Sequence, residues 1–219
     1  MAFLLAIDTT GEFGSIALLE NERVLEEIPL HSPEGFAHLL FQRVRGLLDA
    51  WNRRLDEIDC FAAAAGPGSF TGVRIGLAAM KGLAEAASKP AVAVSNLQAL
   101  ASFGCGPLRA AVADARRGQV YGAVYDERLR LIGDESVRAF PDWLVSLPEG
   151  DLEFVSADFS PFQPVIAGTK FAAIPVRQAP RALAAAIGGI AFHRWRAGEA
   201  VDPAAIDANY VRRSDAELL

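Results

Sequence analysis

Cysteine, histidine and basic charge are all scarce in this chain of 219 residues, and each shortage removes a class of function. Two cysteines, Cys60 and Cys105, are too few for a disulfide framework and read as buried thiols of a cytoplasmic protein. Neither has a histidine nearby in sequence, so a thiol nucleophile has no support. The three histidines, His31, His38 and His193, show no metal-ligand spacing. Lysine and arginine number 21 against 27 aspartates and glutamates, a net charge of −6, which disfavours a nucleic-acid binder acting alone. The longest uncharged run, between Lys89 and Arg109, is interrupted by Pro90, Asn96, Gln98, Gly104, Gly106 and Pro107, so it is no membrane span. The start lacks a basic region, and Asp8 comes too early for a signal peptide, so a cytoplasmic location is expected.

What is present is a globular composition, 52% hydrophobic and 22% charged, long enough for two small lobes. Runs at Phe3–Thr9, Ser15–Leu19 and Arg23–Ile28, split by tight turns, predict an antiparallel meander. A long helix is predicted from Ser32 as N-cap and Pro33 as first helical residue through Leu55, with Phe36, Leu40, Val44, Leu47, Leu48 and Trp51 on one stripe. A strand at Phe61–Ala65, a helix over Thr71–Ser88, a strand at Ala91–Val94 and a short helix over Ser95–Phe103 follow. Gly104–Pro107 is the predicted linker.

The pattern then restarts. Strands are predicted at Arg109–Asp114, Gln119–Asp126 and Leu129–Val137, a short helix at Pro141–Ser146, a strand at Leu152–Ser156 and a late helix at Ala182–Trp195. Residues 1–103 therefore form a first lobe and 104–197 a smaller second one, with the tail from about 198 to 219 packing back on the first. A meander plus helices, twice, resembles the α/β architecture shared by actin, sugar kinases and Hsp70 ATPase domains (ASKHA), two lobes each with a mixed sheet and helices.

Three segments carry chemistry. Asp8, Thr9 and Thr10 end the first strand in a turn that in such folds approaches phosphate; the plain alternative is an Asx turn. The second copy reads Asp114-Ala115-Arg116-Arg117-Gly118. Two arginines stand where a nucleotide-hydrolysing relative shows small residues, and they suit a phosphate or a carboxylate. Gly66-Pro67-Gly68-Ser69-Phe70-Thr71-Gly72 opens a helix but has neither P-loop, dinucleotide nor nucleophile-elbow spacing. On that helix Arg74, Lys81 and Glu85 fall within an arc of about 40°. The rest is apolar or small, with Gly72, Gly76 and Ala79 opposite the charges. So narrow a polar strip suits either burial inside the lobe or coverage by a partner helix. The partner-facing residues read this way are Phe70, Thr71, Gly72, Val73, Ile75, Gly76, Leu77, Ala79, Met80 and Leu83.

Four segments, Ala6–Thr10, Gly66–Gly76, Asp114–Tyr121 and Tyr210–Ser214, together resemble the TsaB (YeaZ) family. The resemblance implies a non-catalytic subunit of the machinery that makes N6-threonylcarbamoyladenosine at position 37 of tRNAs. It implies pairing with the catalytic paralogue TsaD, joined by the ATPase TsaE, and a homodimer in isolation. tRNA is then met only through the complex. No cofactor is expected on the chain alone, with ATP or ADP at a composite interface contacted by Asp8, Thr9, Thr10, Asp114, Arg116 and Arg117. The close His-x-x-x-His pair of TsaD's metal site is absent from this sequence. The rival readings are an ATP-dependent kinase or hydrolase of the actin-like group and an M22-like peptidase.

Overall fold

Phe3–Asp8 (β1) is buried at every position, as a strand covered on both faces must be. Phe13–Glu20 (β2) and Arg23–His31 (β3) complete the meander, turning at Asn21, whose φ of 54° suits a hairpin tip. In this computed structural model, which describes residues 1–211, the helix after the meander is shorter than its apolar stripe suggests. It runs over Leu40–Ala50 (α1). Ser32 does not cap it; its hydroxyl donates to the Gly35 carbonyl at 2.6 Å, and Gly35 at φ 90° turns the chain first. Asn52 at φ 49° ends it.

Cys60–Gly66 (β4) and Ala91–Ser95 (β5) add in parallel, giving the order β3-β2-β1-β4-β5. Between them Phe70–Ala87 (α2) is capped by Ser69, whose Oγ accepts from Gly72 N at 3.3 Å, and stops at Ser88 in the left-handed region. Both helices pack on the odd-numbered β1 face: Leu5, Ile7, Leu18 and Phe61 meet Leu40, Val44, Leu47, Val73, Leu77 and Met80.

Asn96–Ala101 (α3) leads to the second sheet. Leu108–Asp114 (β6), Gln119–Asp126 (β7) and Leu131–Ala139 (β8) form another meander, followed by Phe140–Val145 (α4), Leu152–Ser156 (β9), Gln163–Ile166 (α5) and Val176–Gln178 (β10). The order β10-β9-β6-β7-β8 repeats the first sheet's topology. Its core is aromatic: Phe140, Trp143, Phe154, Phe159 and Phe162 are all buried together. The predicted linker residues are anchored within this unit, because the buried Glu153 accepts from the backbone N–H groups of Cys105 and Gly106. Cys105 is exposed rather than buried, while burial pushes the Cys60 thiol up to about 12.

Ala184–Arg196 (α6) corrects the expected boundaries. It lies on the even-numbered face of the first sheet, where a Cβ on Gly188 would sit 3.3 Å from that of Ala6. No neighbouring side chain caps it. Instead Ser15 Oγ accepts from Leu183 N at 3.1 Å and Ala184 N at 2.9 Å, and donates to Glu27, which accepts from Ala185 N at 2.9 Å. Residues 181–197, expected in the second lobe, thus belong to the first. One unit is Met1–Asn96 with Arg181–Asn209; the other begins at Leu97, not 104, and runs to Pro180 with Tyr210 and Val211. Within the first unit Val201 pairs with Ala91, Ile206 enters the core and Asn209 N donates to Ala65 O. Of the Tyr210–Ser214 segment, Arg212, Arg213 and Ser214 lie outside the described residues.

Candidate functional site

The β1–β2 turn and the glycine-rich loop are built into one network. Asp8 Oδ1 accepts from Thr10 N at 2.9 Å, Thr10 Oγ1 at 2.7 Å and Asn96 Nδ2 at 3.4 Å. Asn96 also donates to Thr10 Oγ1 at 2.7 Å, and its Oδ1 accepts from Gly66 N at 3.1 Å. Thr9 Oγ1 donates to the Gly72 carbonyl at 2.7 Å, and Ser69 N donates to Thr10 O at 2.7 Å. Asp8, Thr9, Thr10 and Asn96 are all buried. The Asx turn is therefore the arrangement present, with the threonine hydroxyls and the loop amide of Ser69 engaged inside the unit. Asn96, which closes the network, carried no signal in the sequence beyond interrupting an apolar run.

Burial raises the Asp8 carboxyl pKa above its ordinary value, Glu27's charge adds to the rise, and the hydrogen bonds from Thr10 and Asn96 oppose it. The sign of the pH effect follows. A raised folded-state pKa means the fold binds the proton more tightly than the unfolded chain does, so this group's contribution to stability falls as pH rises through the raised value. Asp8→Asn keeps the accepting oxygen and removes the charge. It is expected to be more stable than the wild type at pH 7, with the gap closing as pH approaches 4, measured by thermal melts across that range. A wild type more stable than the variant at pH 7 would contradict this.

Glycines of α2 and of the loop before it explain the closeness of this packing. A Cβ on Gly72 would stand 2.1 Å from Thr9 O, and one on Gly68 2.6 Å from Thr10 O; one on Gly76 would stand 2.6 Å from Thr9 Oγ1. The face opposite the charges therefore meets the protein's own turn. Of the ten residues assigned to a partner, Gly72, Val73, Gly76, Leu77, Ala79 and Met80 are buried in their own unit. Phe70 and Thr71 are exposed; Ile75 and Leu83 are half-buried.

The outward face joins Thr71 to four residues outside those ten, Arg74, Ala78, Gly82 and Glu85, at steps of three and four. A Cβ on Gly82 would meet nothing within 4 Å. At the start of this face the Arg74 guanidinium lies 3.6 Å from the centre of the Phe70 ring, itself 42% exposed. On α1, Phe41 is 57% exposed. Ala78, Gly82 and Phe41 were not picked out from the sequence. The helical wheel gave the two sides of α2 correctly but not which side the protein itself would cover.

In the second unit the β6–β7 hairpin carries Asp114, Arg116 and Arg117, all exposed. Asp114 Oδ1 accepts from Arg116 N at 2.8 Å, while Arg116, Arg117 and Gly118 take φ values of 65°, 55° and 73°. Non-glycine residues there cost roughly 1 kcal/mol each. Asp8 and Asp114 occupy matching places in the two sheets, yet one is buried in a network and the other sits on an open hairpin. Among the described residues, no three His, Cys, Asp or Glu side chains gather as a metal-ligand set, and no helix is long and apolar enough to cross a membrane.

Comparison with known proteins locates this geometry. The family model described as TsaD, tRNA N6-adenosine threonylcarbamoyltransferase, matches residues 28–190. The Bacillus subtilis tRNA threonylcarbamoyladenosine biosynthesis protein TsaB is 33% identical, over 98% of this chain and 96% of that protein. The solved structure of YeaZ from Pseudomonas aeruginosa superposes with a TM-score of 0.81 at 30% identity, over 96% of this chain and 100% of the other. Component A of the Acidaminococcus fermentans (R)-2-hydroxyglutaryl-CoA dehydratase, 7% identical at a TM-score of 0.56 over 89% of this chain and 99% of the other, shares the fold alone.

Proposed function

This chain belongs to the TsaB family of tRNA threonylcarbamoyladenosine biosynthesis proteins, and from that premise we propose that it serves the pathway as the non-catalytic partner of the transferase TsaD. It pairs with TsaD through the outward face of α1 and α2, holds that enzyme in its active geometry and joins the ATPase TsaE. tRNA is met through the assembly, any ATP or ADP is bound only at the composite surface, and the chain pairs with itself when TsaD is absent. The work is cytoplasmic.

The observation that carries this reading is the outward face itself. Phe41 on α1 and Phe70 at the start of α2 are exposed aromatic anchors, and on the outward side of α2 the small residues Ala78 and Gly82 let a second helix approach closely. The TsaD family model spans both helices, so a paralogue with kindred helices suits a pseudo-symmetric contact. A kinase-like reading is less well supported, because the first sheet's turn is engaged by its own loop. Size-exclusion of a mixture of the purified chain with purified TsaD tests the proposal. One co-eluting species is expected; two independent peaks at micromolar concentration would overturn it.

A further inference from the structure

We propose that the β6–β7 hairpin grips the phosphate backbone of RNA through Arg116 and Arg117, with Arg138 on the adjoining strand; this rests on the chain's place in a tRNA-modifying assembly. Three observations carry it. Arg116 and Arg117 hold left-handed backbone positions, at φ 65° and 55°, which hairpin tips normally give to asparagine or glycine. At Arg116 a long cationic side chain kept against the backbone preference points to a demand on the side chain itself, and Arg117 is exposed beside it. Arg138, also exposed, pairs with Val120 two residues beyond Gly118, and Phe140 N donates to Gly118 O at 3.4 Å, so β8 brings a third guanidinium to the same end of the sheet. Among the described residues, the carboxylates near that end include Asp114, whose Oδ1 accepts from Arg116 N at 2.8 Å, and Asp142 in α4.

The shape of the hairpin selects the kind of anion. Asp114, Arg116, Arg117 and Gly118 are all exposed on a projecting tip, whereas a small-molecule site encloses most of its ligand. An extended polyanion needs no enclosure, and guanidinium groups meet phosphate oxygens in paired hydrogen bonds without reading bases. The hairpin thus contributes affinity and register to an assembly, while the acidic chain alone binds RNA poorly.

The test uses the complex with TsaD and a tRNA transcript, comparing wild type with Arg116→Asn/Arg117→Asn, a pair that suits the left-handed backbone and so keeps the fold. The variant complex is expected to bind tRNA about tenfold more weakly, with a log–log salt slope shallower by about one per arginine, and to co-elute with TsaD undiminished. Unchanged affinity and slope would overturn the inference. So would loss of co-elution, which would mean that the hairpin holds a partner's carboxylate instead. If the wild-type chain itself fails to join TsaD, the proposed function fails, and the same comparison is read on the isolated chain at low salt.

Discussion

Gly72→Ala is expected to cost about 3 kcal/mol or more of stability, although alanine is the better helix former by about 1 kcal/mol. The added Cβ would stand 2.1 Å from the Thr9 carbonyl oxygen, and that oxygen belongs to backbone held in the β1–β2 turn, not to a side chain that can swing aside. Relief requires α2 to move off β1. That would break the Thr9 Oγ1 to Gly72 O and Ser69 N to Thr10 O hydrogen bonds and loosen Val73, Leu77 and Met80 from the core. A domain of this size changes its Tm by about 2–4 °C per kcal/mol, so a melting temperature lower by roughly 10 °C is the expected reading. A variant as stable as the wild type would mean that the α2 face assigned to the core is not held there.

Ten residues along the same helix, the outcome reverses. A Cβ at Gly82 points into open space, so Gly82→Glu should leave Tm unchanged or raise it slightly through helix propensity. Yet it puts charge and bulk on the ridge beside Ala78, and an unpaired charge buried in a contact costs several kcal/mol. Loss of co-elution with TsaD from a fully folded variant is the expected result, a drop in affinity of a hundredfold or more. A folded Gly82→Glu chain that still joins TsaD with wild-type affinity would remove α2 from the pairing surface. The two glycines together separate a helix that is merely buried from one that is buried on one side and offered on the other.

The duplicated meander was legible because its signals are local. Short apolar runs, tight turns and an aspartate closing the first strand occur twice, and the spans Gln119–Asp126 and Leu152–Ser156 matched the strands observed. What was not legible depends on groups far apart in the chain. Ser15 and Glu27 cap α6 from more than 150 residues away, so no local pattern could assign residues 181–197 to the first unit. The strand Val176–Gln178 is three exposed residues with no alternation to detect. Gly35 cut the predicted first helix short through a backbone angle that composition does not encode. For α2, periodicity sorted residues onto two sides. The choice of inner side was made by the turn at Thr9 and Thr10, visible only once β1 and α2 are packed together.

The most direct measurement is side-chain footprinting of the chain by hydroxyl radicals, alone and mixed with TsaD. Protection confined to Phe41, Phe70 and their neighbours on the exposed sides of α1 and α2, with the already buried Met80 unaltered, is the result predicted. Undiminished labelling of Phe41 and Phe70 in a mixture where other surfaces become protected would contradict the assignment of that face.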